Sequence, residues 1–169
     1  MSLLGKCALA MVVPATGAML AAGAGSAHAA GDLYGAIAIS AERSPNGTLG
    51  DFPSRHTGVG VAVDYPTQAA ADEAARSTCR GERCYVVAQV HNGCASVAEF
   101  DTWTAWSNGV EPVYVTEKGS TAAAAEQSAI DKGNWLMSAP TNTAMFALGI
   151  ARVVKPVFIL DTICTSNAG

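Results

Sequence analysis

The stretch Cys79-Arg80-Gly81-Glu82-Arg83-Cys84-Tyr85-Val86-Val87-Ala88-Gln89-Val90-His91-Asn92-Gly93-Cys94 holds three of the chain's 5 cysteines. From Cys84 to Val90 it is rich in β-branched and aromatic residues, the composition of a strand. At about 3.3 Å per residue, a strand running on toward Asn92 holds Cys84 and Cys94 about 30 Å apart. A disulfide needs Cα atoms within about 7 Å. This disfavours Cys84–Cys94, and Cys79–Cys94 for the same reason. The favoured pairing is Cys79–Cys84, closing a tight loop, with Cys94–Cys164 tying the middle of the chain to its last strand. The long loop stabilises more, about 4 kcal/mol by the chain-entropy model. A zinc site or a thioredoxin-like redox pair would require C-x-x-C, which does not occur here.

Those four cysteines belong to a chain that reads as exported. Lys6 is the only charge ahead of an almost wholly apolar run from Cys7 to Ala24. Ser26-Ala27-His28-Ala29-Ala30 follows, with Ala27 and Ala29 flanking His28. This is a positive n-region, an apolar h-region and an A-x-A site. The expectation is a signal peptide over residues 1–29, cut after Ala29. That leaves a secreted domain of about 140 residues, one-domain length, over 30–169. Pro14 and the many small residues make the run a weak membrane span. Lys6 directly before Cys7 excludes a lipoprotein site, and no twin arginine precedes the run. Cys7 leaves with the leader, and the even set Cys79, Cys84, Cys94 and Cys164 reads as a disulfide framework.

The formal charge is -4. That argues against nucleic acid, which calls for clustered Lys and Arg, and against anionic lipid heads. No further long apolar segment follows the leader, so no membrane span is expected in the mature chain.

Leu33 to Ser40 alternates and opens the domain as a strand. Residues 42–54, rich in Pro, Gly, Asn and Ser, read as a loop; Asn46-Gly47-Thr48 within it matches a glycosylation sequon by chance. Gly58 to Tyr65 is a second strand whose alternating glycines point to a close neighbour on that face. Thr67 suits the N-cap of a helix over 68–78. Its stripe of Ala70, Ala71, Ala74, Ala75 and Thr78 suits close packing on a sheet, and Asp72 with Arg76 forms an i,i+4 pair on the wet side. A similar order recurs: strand-like residues 112–116, a cap at 119–121, an Ala-rich helix over 122–130, and Gly133 as a C-terminal stop. Strand, turn and Ala-rich helix thus occur twice. Residues 134–143 read as a loop, 144–154 as either helix or strand, and Pro156 to Cys164 as a buried last strand.

The order Tyr34-Gly35-Ala36-Ile37-Ala38, then Asp64-Tyr65-Pro66, the helix with Ala69, Glu73, Ala74 and Ala75, Cys79, Cys84-Tyr85-Val86-Val87, Asn92-Gly93-Cys94-Ala95-Ser96-Val97-Ala98 and a late Cys164 resembles the exported bacterial, actinobacterial family called domain of unknown function 4189. In that family the pattern runs Y-G-A-I-A, an Ala/Glu helix, C-x-x-x-x-C-x-V-V, N-x-C-G-A-x-A and a late cysteine. The resemblance covers about 34–164. Ser96 stands where the family has a small apolar residue, and 134–154 is an unusual stretch. The resemblance implies secretion, the disulfides and an α+β fold, and it carries no agreed biochemical activity.

Candidate sites are few. His91 with Asp101, or with the neighbouring acid Glu99, can be drawn as the centre of a secreted hydrolase. No G-x-S-x-G elbow backs a serine nucleophile, and neighbouring acids usually sit on a solvated loop. His56 is the other histidine of the mature chain. No cofactor motif occurs, and no His, Asp or Glu spacing suggests a metal. Phe100, Trp103 and Trp106, with Trp135 elsewhere, form the aromatic group. In a loop they would anchor a partner; otherwise they cover one end of a small core.

The fold expected is a single small α+β domain, with a mainly antiparallel sheet, two Ala-rich helices on one face and two disulfides. The leading functional reading is a secreted, non-enzymatic interaction or effector-type protein whose partner is a host or cell-envelope protein. A secreted hydrolase using His91 with nearby acids is the alternative. A small-ligand carrier, which needs an apolar cavity of several hundred Å³, is a third class.

Overall fold

A computed structural model describes residues 31–43, 53–81, 83–106 and 109–168. The expected signal peptide over 1–29, its cleavage at Ala29 and the Asn46 sequon lie outside these residues. Gly31–Gly169 form one compact unit.

The chain runs β1 (Tyr34–Arg43), β2 (Pro53–Tyr65), α1 (Gln68–Thr78), β3 (Cys84–His91), β4 (Cys94–Thr104), β5 (Val110–Gly119), α2 (Ala122–Ser138), α3 (Pro140–Ala147) and β6 (Ala151–Cys164). All strand pairs are antiparallel. The α+β class and both disulfides are as the sequence leads one to expect. The strands, however, form two three-stranded sheets, ordered β2-β1-β3 and β5-β4-β6.

These sheets are two versions of one plan: hairpin, helix, then a strand returning to the far side of the first. The registers coincide. Along β1 and β3 the pairs are Tyr34↔His91, Gly35↔Val90, Ala36↔Gln89 and Ile37↔Ala88, followed by a shift to Ala38↔Val86. Along β4 and β6 they are Cys94↔Cys164, Ala95↔Ile163, Ser96↔Thr162 and Val97↔Asp161, followed by a shift to Ala98↔Ile159. Each shift is a bulge. Its extra residue, Val87 or Leu160, packs on the apolar layer between the sheets.

Strand alternation then sorts the layers. Ile37, Ile39, Ala88 and Val90 of the first sheet meet Ala95, Val97 and Ile163 of the second. Ile37, Ile39 and Val97 are almost wholly buried, each worth about 1.5–3 kcal/mol relative to exposure. Ala36, Ala38 and Ala62 point the other way, under Ala71 and Ala75 of α1. So the helices do not share one face. Each lies on the outer face of its own sheet, in the order helix, sheet, sheet, helix.

Both helices begin alike. Thr67 Oγ1 accepts from the Ala70 N–H at 3.2 Å, and Thr121 Oγ1 from the Ala124 N–H at 3.2 Å. Each thus satisfies an end donor the helix leaves open. Ala71 and Ala75 are the buried positions of α1, and Ala125, Ala129 and Gly133 those of α2. Such layers bury little area per residue but allow close backbone approach, where dispersion contacts accumulate. The glycines of β2 make that approach possible. A Cβ on Gly60 would collide with the Ala75 carbonyl oxygen, and one on Gly58 with that of Arg80.

Several local expectations change. Gly133 does not stop α2. It is buried against Val157 of β6, with room for a hydrogen and no Cβ, and the helix continues to Ser138. The region expected as loop, 134–143, is therefore mostly helix. α2 breaks at Ala139 because Pro140 cannot donate back to it and instead starts α3. Residues 144–154 are both things in turn. α3 closes with Gly149 at φ 70, its N–H bonded to Phe146 O and that of Ile150 to Met145 O. This is a Schellman ending, and β6 follows it. The loop expected over 42–54 is shorter among described residues, since β1 reaches Arg43 and β2 starts at Pro53. Arg76 bonds Glu73 at 3.3 Å, not Asp72. Asp72 instead accepts from Gln68 and Gln89, each at 2.7 Å.

Candidate functional site

Both disulfides form the pairs that the strand geometry favours. Cys79–Cys84 joins the end of α1 to the start of β3 with Cα atoms 6.2 Å apart. Cys94–Cys164 cross-links β4 to β6, Cα atoms 4.1 Å apart. They fix the ends of strands and leave the chemistry elsewhere.

The aromatic group lies at the far end of β4. Phe100, Trp103 and the acids Glu99 and Asp101 are not on a loop, because β4 is the central strand of the second sheet and runs to Thr104. Alternation separates them. Phe100 is 4 % exposed, so it serves the core and offers no surface. Trp103 lies between Val110 of β5 and Arg152 of β6. The Arg152 guanidinium sits 4.6 Å from the Trp103 ring centroid, a cation–π contact. Trp106 follows just past the strand and is 64 % exposed. The Ala105 N–H, bonded to Ile150 O at 2.8 Å, holds this end against the turn after α3. Val110, Leu148, Val153 and Val154 are also exposed. One row inward Asp101 stands opposite Lys155, whose ammonium lies 3.4 Å from the Phe158 ring centroid. Trp103 and Phe158 thus each carry a cation over the ring, and Trp106 stands exposed just past the strand. Trp135 is separate, on α2, with Lys132 Nζ 5.1 Å from its ring.

Glu99 is 4 % exposed, on the strand face that looks between the sheets and directly opposite Tyr114. Burial pushes the Tyr114 phenol well above its ordinary value, and the Glu99 and Asp101 carboxylates add to the shift. Among the described residues, no group of three or more His, Cys, Asp or Glu is placed to hold a metal. No helix there is long and apolar enough to cross a membrane.

His91 is at the surface, its side chain 48 % exposed, and the carboxylate that meets it is Asp32, Oδ1 to Nε2 2.9 Å. Its ring stacks on Tyr34 with centroids 4.7 Å apart. Asp32 also accepts from Asn92 Nδ2 at 2.9 Å. The His91 and Asn92 hydrogen bonds, with the His91 charge, hold its carboxyl below the usual carboxylate range. Asn92 Oδ1 accepts from the Leu33 N–H and from Asn167 Nδ2. This cluster pins the segment ahead of β1 to the segment behind β6. It is not the deep polar pocket that a hydrolase with Glu99 or Asp101 would need. Sequence patterns do not reveal Asp32, because nothing local links residues so far apart. His56 lies on β2 opposite Ala41.

A cleft of about 590 Å³ runs between the two sheets, lined by residues 86–89 of β3, Ala95 of β4 and residues 116–118 of β5. It has the size of a ligand pocket, but Gln89, Thr116, Glu117 and Lys118 make much of its wall polar.

A family model described as Domain of unknown function (DUF4189) matches residues 34–138. The match spans the whole first half and the second as far as the end of α2, shorter than the 34–164 over which the resemblance extends. No curated protein and no solved structure matches the chain.

Proposed function

The chain belongs to the family of domain of unknown function 4189, and from that premise we propose that it is an exported protein that acts by contact rather than by catalysis. Its docking surface is the Trp103–Trp106 end of the second sheet, and its partner is a host or cell-envelope protein. The observation that carries this reading is the exposed ring of Trp106, just past the strand end at which Arg152 stacks on Trp103 and the exposed Val110 pairs with Trp103. Trp and Arg are the side chains most often responsible for binding energy at interfaces. Contiguous apolar surface left in water marks an interaction site. Two disulfides fit an oxidising compartment.

The test uses the secreted protein, with intact mass beginning at Ala30. Trp106→Ala and Trp103→Ala are compared with the parent for co-sedimentation with isolated cell envelopes and for binding to host-cell surfaces, alongside a thermal melt. Each substitution is expected to weaken retention about tenfold, equivalent to about 1.4 kcal/mol, with Trp106→Ala leaving the melt unchanged. Retention unaltered in both variants sinks the docking surface. A mass that still includes residues 1–29 sinks export.

A further inference from the structure

We propose that two copies of this chain exchange halves, each opening at Asn92–Gly93, to form a closed dimer through the apolar layer between the sheets. The first half holds β1, β2, α1 and β3, and the second holds β4, β5, α2, α3 and β6. Only Asn92 and Gly93 join them, between β3 ending at His91 and β4 starting at Cys94. Three observations make the halves separable. Among the described strands, none of one sheet is hydrogen-bonded to a strand of the other. Each disulfide closes within its own half, Cys79–Cys84 in the first and Cys94–Cys164 in the second. The halves meet instead through a side-chain layer, with Ile37, Ile39, Ala88 and Val90 against Ala95, Val97 and Ile163. A second copy presents that same layer, so exchange remakes its contacts without breaking a strand ladder or a covalent bond.

The hinge supplies both the drive and the latch. Asn92 has φ 49, a left-handed backbone that L residues other than Asn and Asp rarely adopt. Straightening it turns β3 and β4 into one strand over 84–104, about 70 Å long at strand rise, and carries the second half out to the partner copy. Short hinges under strain favour such exchange. Hydrogen bonds of the closed turn oppose it. Asn92 Oδ1 accepts from the Leu33 N–H at 2.8 Å and from Asn167 Nδ2 at 2.7 Å, and Asn92 Nδ2 donates to Asp32 at 2.9 Å. The Gly93 N–H donates to Thr165 Oγ1 at 2.9 Å. These bonds hold the turn shut, so the monomer prevails in dilute protein, and exchange needs both an opening of the turn and a second copy. The exchanged dimer carries two Trp103–Trp106 ends, but the exchange itself does not rest on the docking reading.

The test uses the full disulfide-bonded chain, unfolded in urea without reductant and refolded at micromolar and at millimolar protein. A dimer is expected from the concentrated sample alone. It should outlast dilution, because its release requires the halves to come apart. Refolding a mixture of isotope-labelled and unlabelled chains identifies the contact by NMR. Inter-chain methyl contacts are expected between Ile37 or Ile39 of one copy and Val97 or Ile163 of the other. Asn92→Val makes the left-handed turn unfavourable and removes the latch, and it should raise the dimer-to-monomer ratio about tenfold. A run of glycines inserted between Asn92 and Gly93 relaxes the turn and should abolish the dimer. Trp106→Ala should change none of this.

Monomer at every refolding concentration of the parent chain overturns the proposal. A dimer that lacks the inter-chain core contacts, or that dissociates at once on dilution, is a surface association and overturns it too. A dimer that survives the glycine insertion, or that is lost in Trp106→Ala, places the contact elsewhere on the molecule and overturns it likewise. The mixed-label result on the parent stands whether or not Asn92→Val folds.

Discussion

At the same distance past its capping threonine, the first helix ends at Cys79 and the second runs on through Gly133. The two halves share element order, strand register and bulge position, so these contrasts stand on a common background. In the first half the chain leaves the helix at once and is tied to β3 by Cys79–Cys84. In the second, Gly133 lets the helix lie against Val157, and the chain adds α3 before returning as β6. Ile39 in the core of the first sheet has Glu99 as its counterpart, and Val59 has Tyr114. Where Tyr34 stacks on His91, the second half has Cys94 bonded to Cys164. Of the exposed tryptophans, both Trp106 and Trp135 belong to the second half. The first half keeps to what packing requires. The second carries the extra helix, the buried carboxylate and the aromatic surface, and those departures need a reason beyond folding.

The largest expected difference lies in the disulfides. Replacing Cys94 and Cys164 together by alanine opens a cross-link across a separation of 70 residues and should cost about 4 kcal/mol. Replacing Cys79 and Cys84 opens one across 5 residues and should cost about 2 kcal/mol. Urea unfolding of both double variants measures this. Equal losses would mean that the cross-links do not act through loop entropy.

Next come the glycines under the helices. Gly60→Ala drives a Cβ into backbone, the Ala75 carbonyl oxygen and the Cys79 nitrogen, neither of which can turn aside. It should cost about 3 kcal/mol or more. Gly133→Ala meets the methyls of Val157 at 2.8 Å, which give more readily, and it also gains helix propensity. A net loss of about 1 kcal/mol is expected. Thermal melts of the pair decide whether the first helix is seated more tightly than the second.

The smallest effect separates Tyr114 from its apolar counterpart Val59. The Tyr114 phenol is raised above its ordinary 10.0, so the folded state holds the proton that the unfolded state releases. Its contribution is complete below about pH 10 and is lost as pH rises from there toward the folded value. For one proton the slope is at most about 1.4 kcal/mol per pH unit, and solvent at the half-buried ring reduces it. Denaturant midpoints taken up to pH 11 should fall for the parent and flatten in Tyr114→Phe. Parallel curves would show that Tyr114 ionises freely in the folded chain.

Much of this was legible locally. The strand from Cys84, the threonine caps, the alanine stripes and the recurrence of strand, turn and Ala-rich helix follow from periodicity and composition, which the backbone reads within a few residues. The disulfide pairing also followed, because an extended strand cannot bring Cys84 and Cys94 together. The alternating glycines of β2 correctly announced a close neighbour. Of the candidate site, sequence alone singled out Trp103 and Trp106, and it grouped Phe100 with them because adjacency says nothing of alternation across a central strand.

The amino-acid sequence by itself determined which segments become strands and helices, where the helices start and which cysteines can meet, since each depends on near neighbours or on chain reach. Only the tertiary structure decided that the strands split into two sheets, that each helix takes an outer face, and that Asp32 meets His91. It also turned Gly133 from a stop into a contact and made Glu99 a buried residue. Those outcomes depend on which distant surfaces are apolar enough to close on one another, and that choice is made by the whole chain at once.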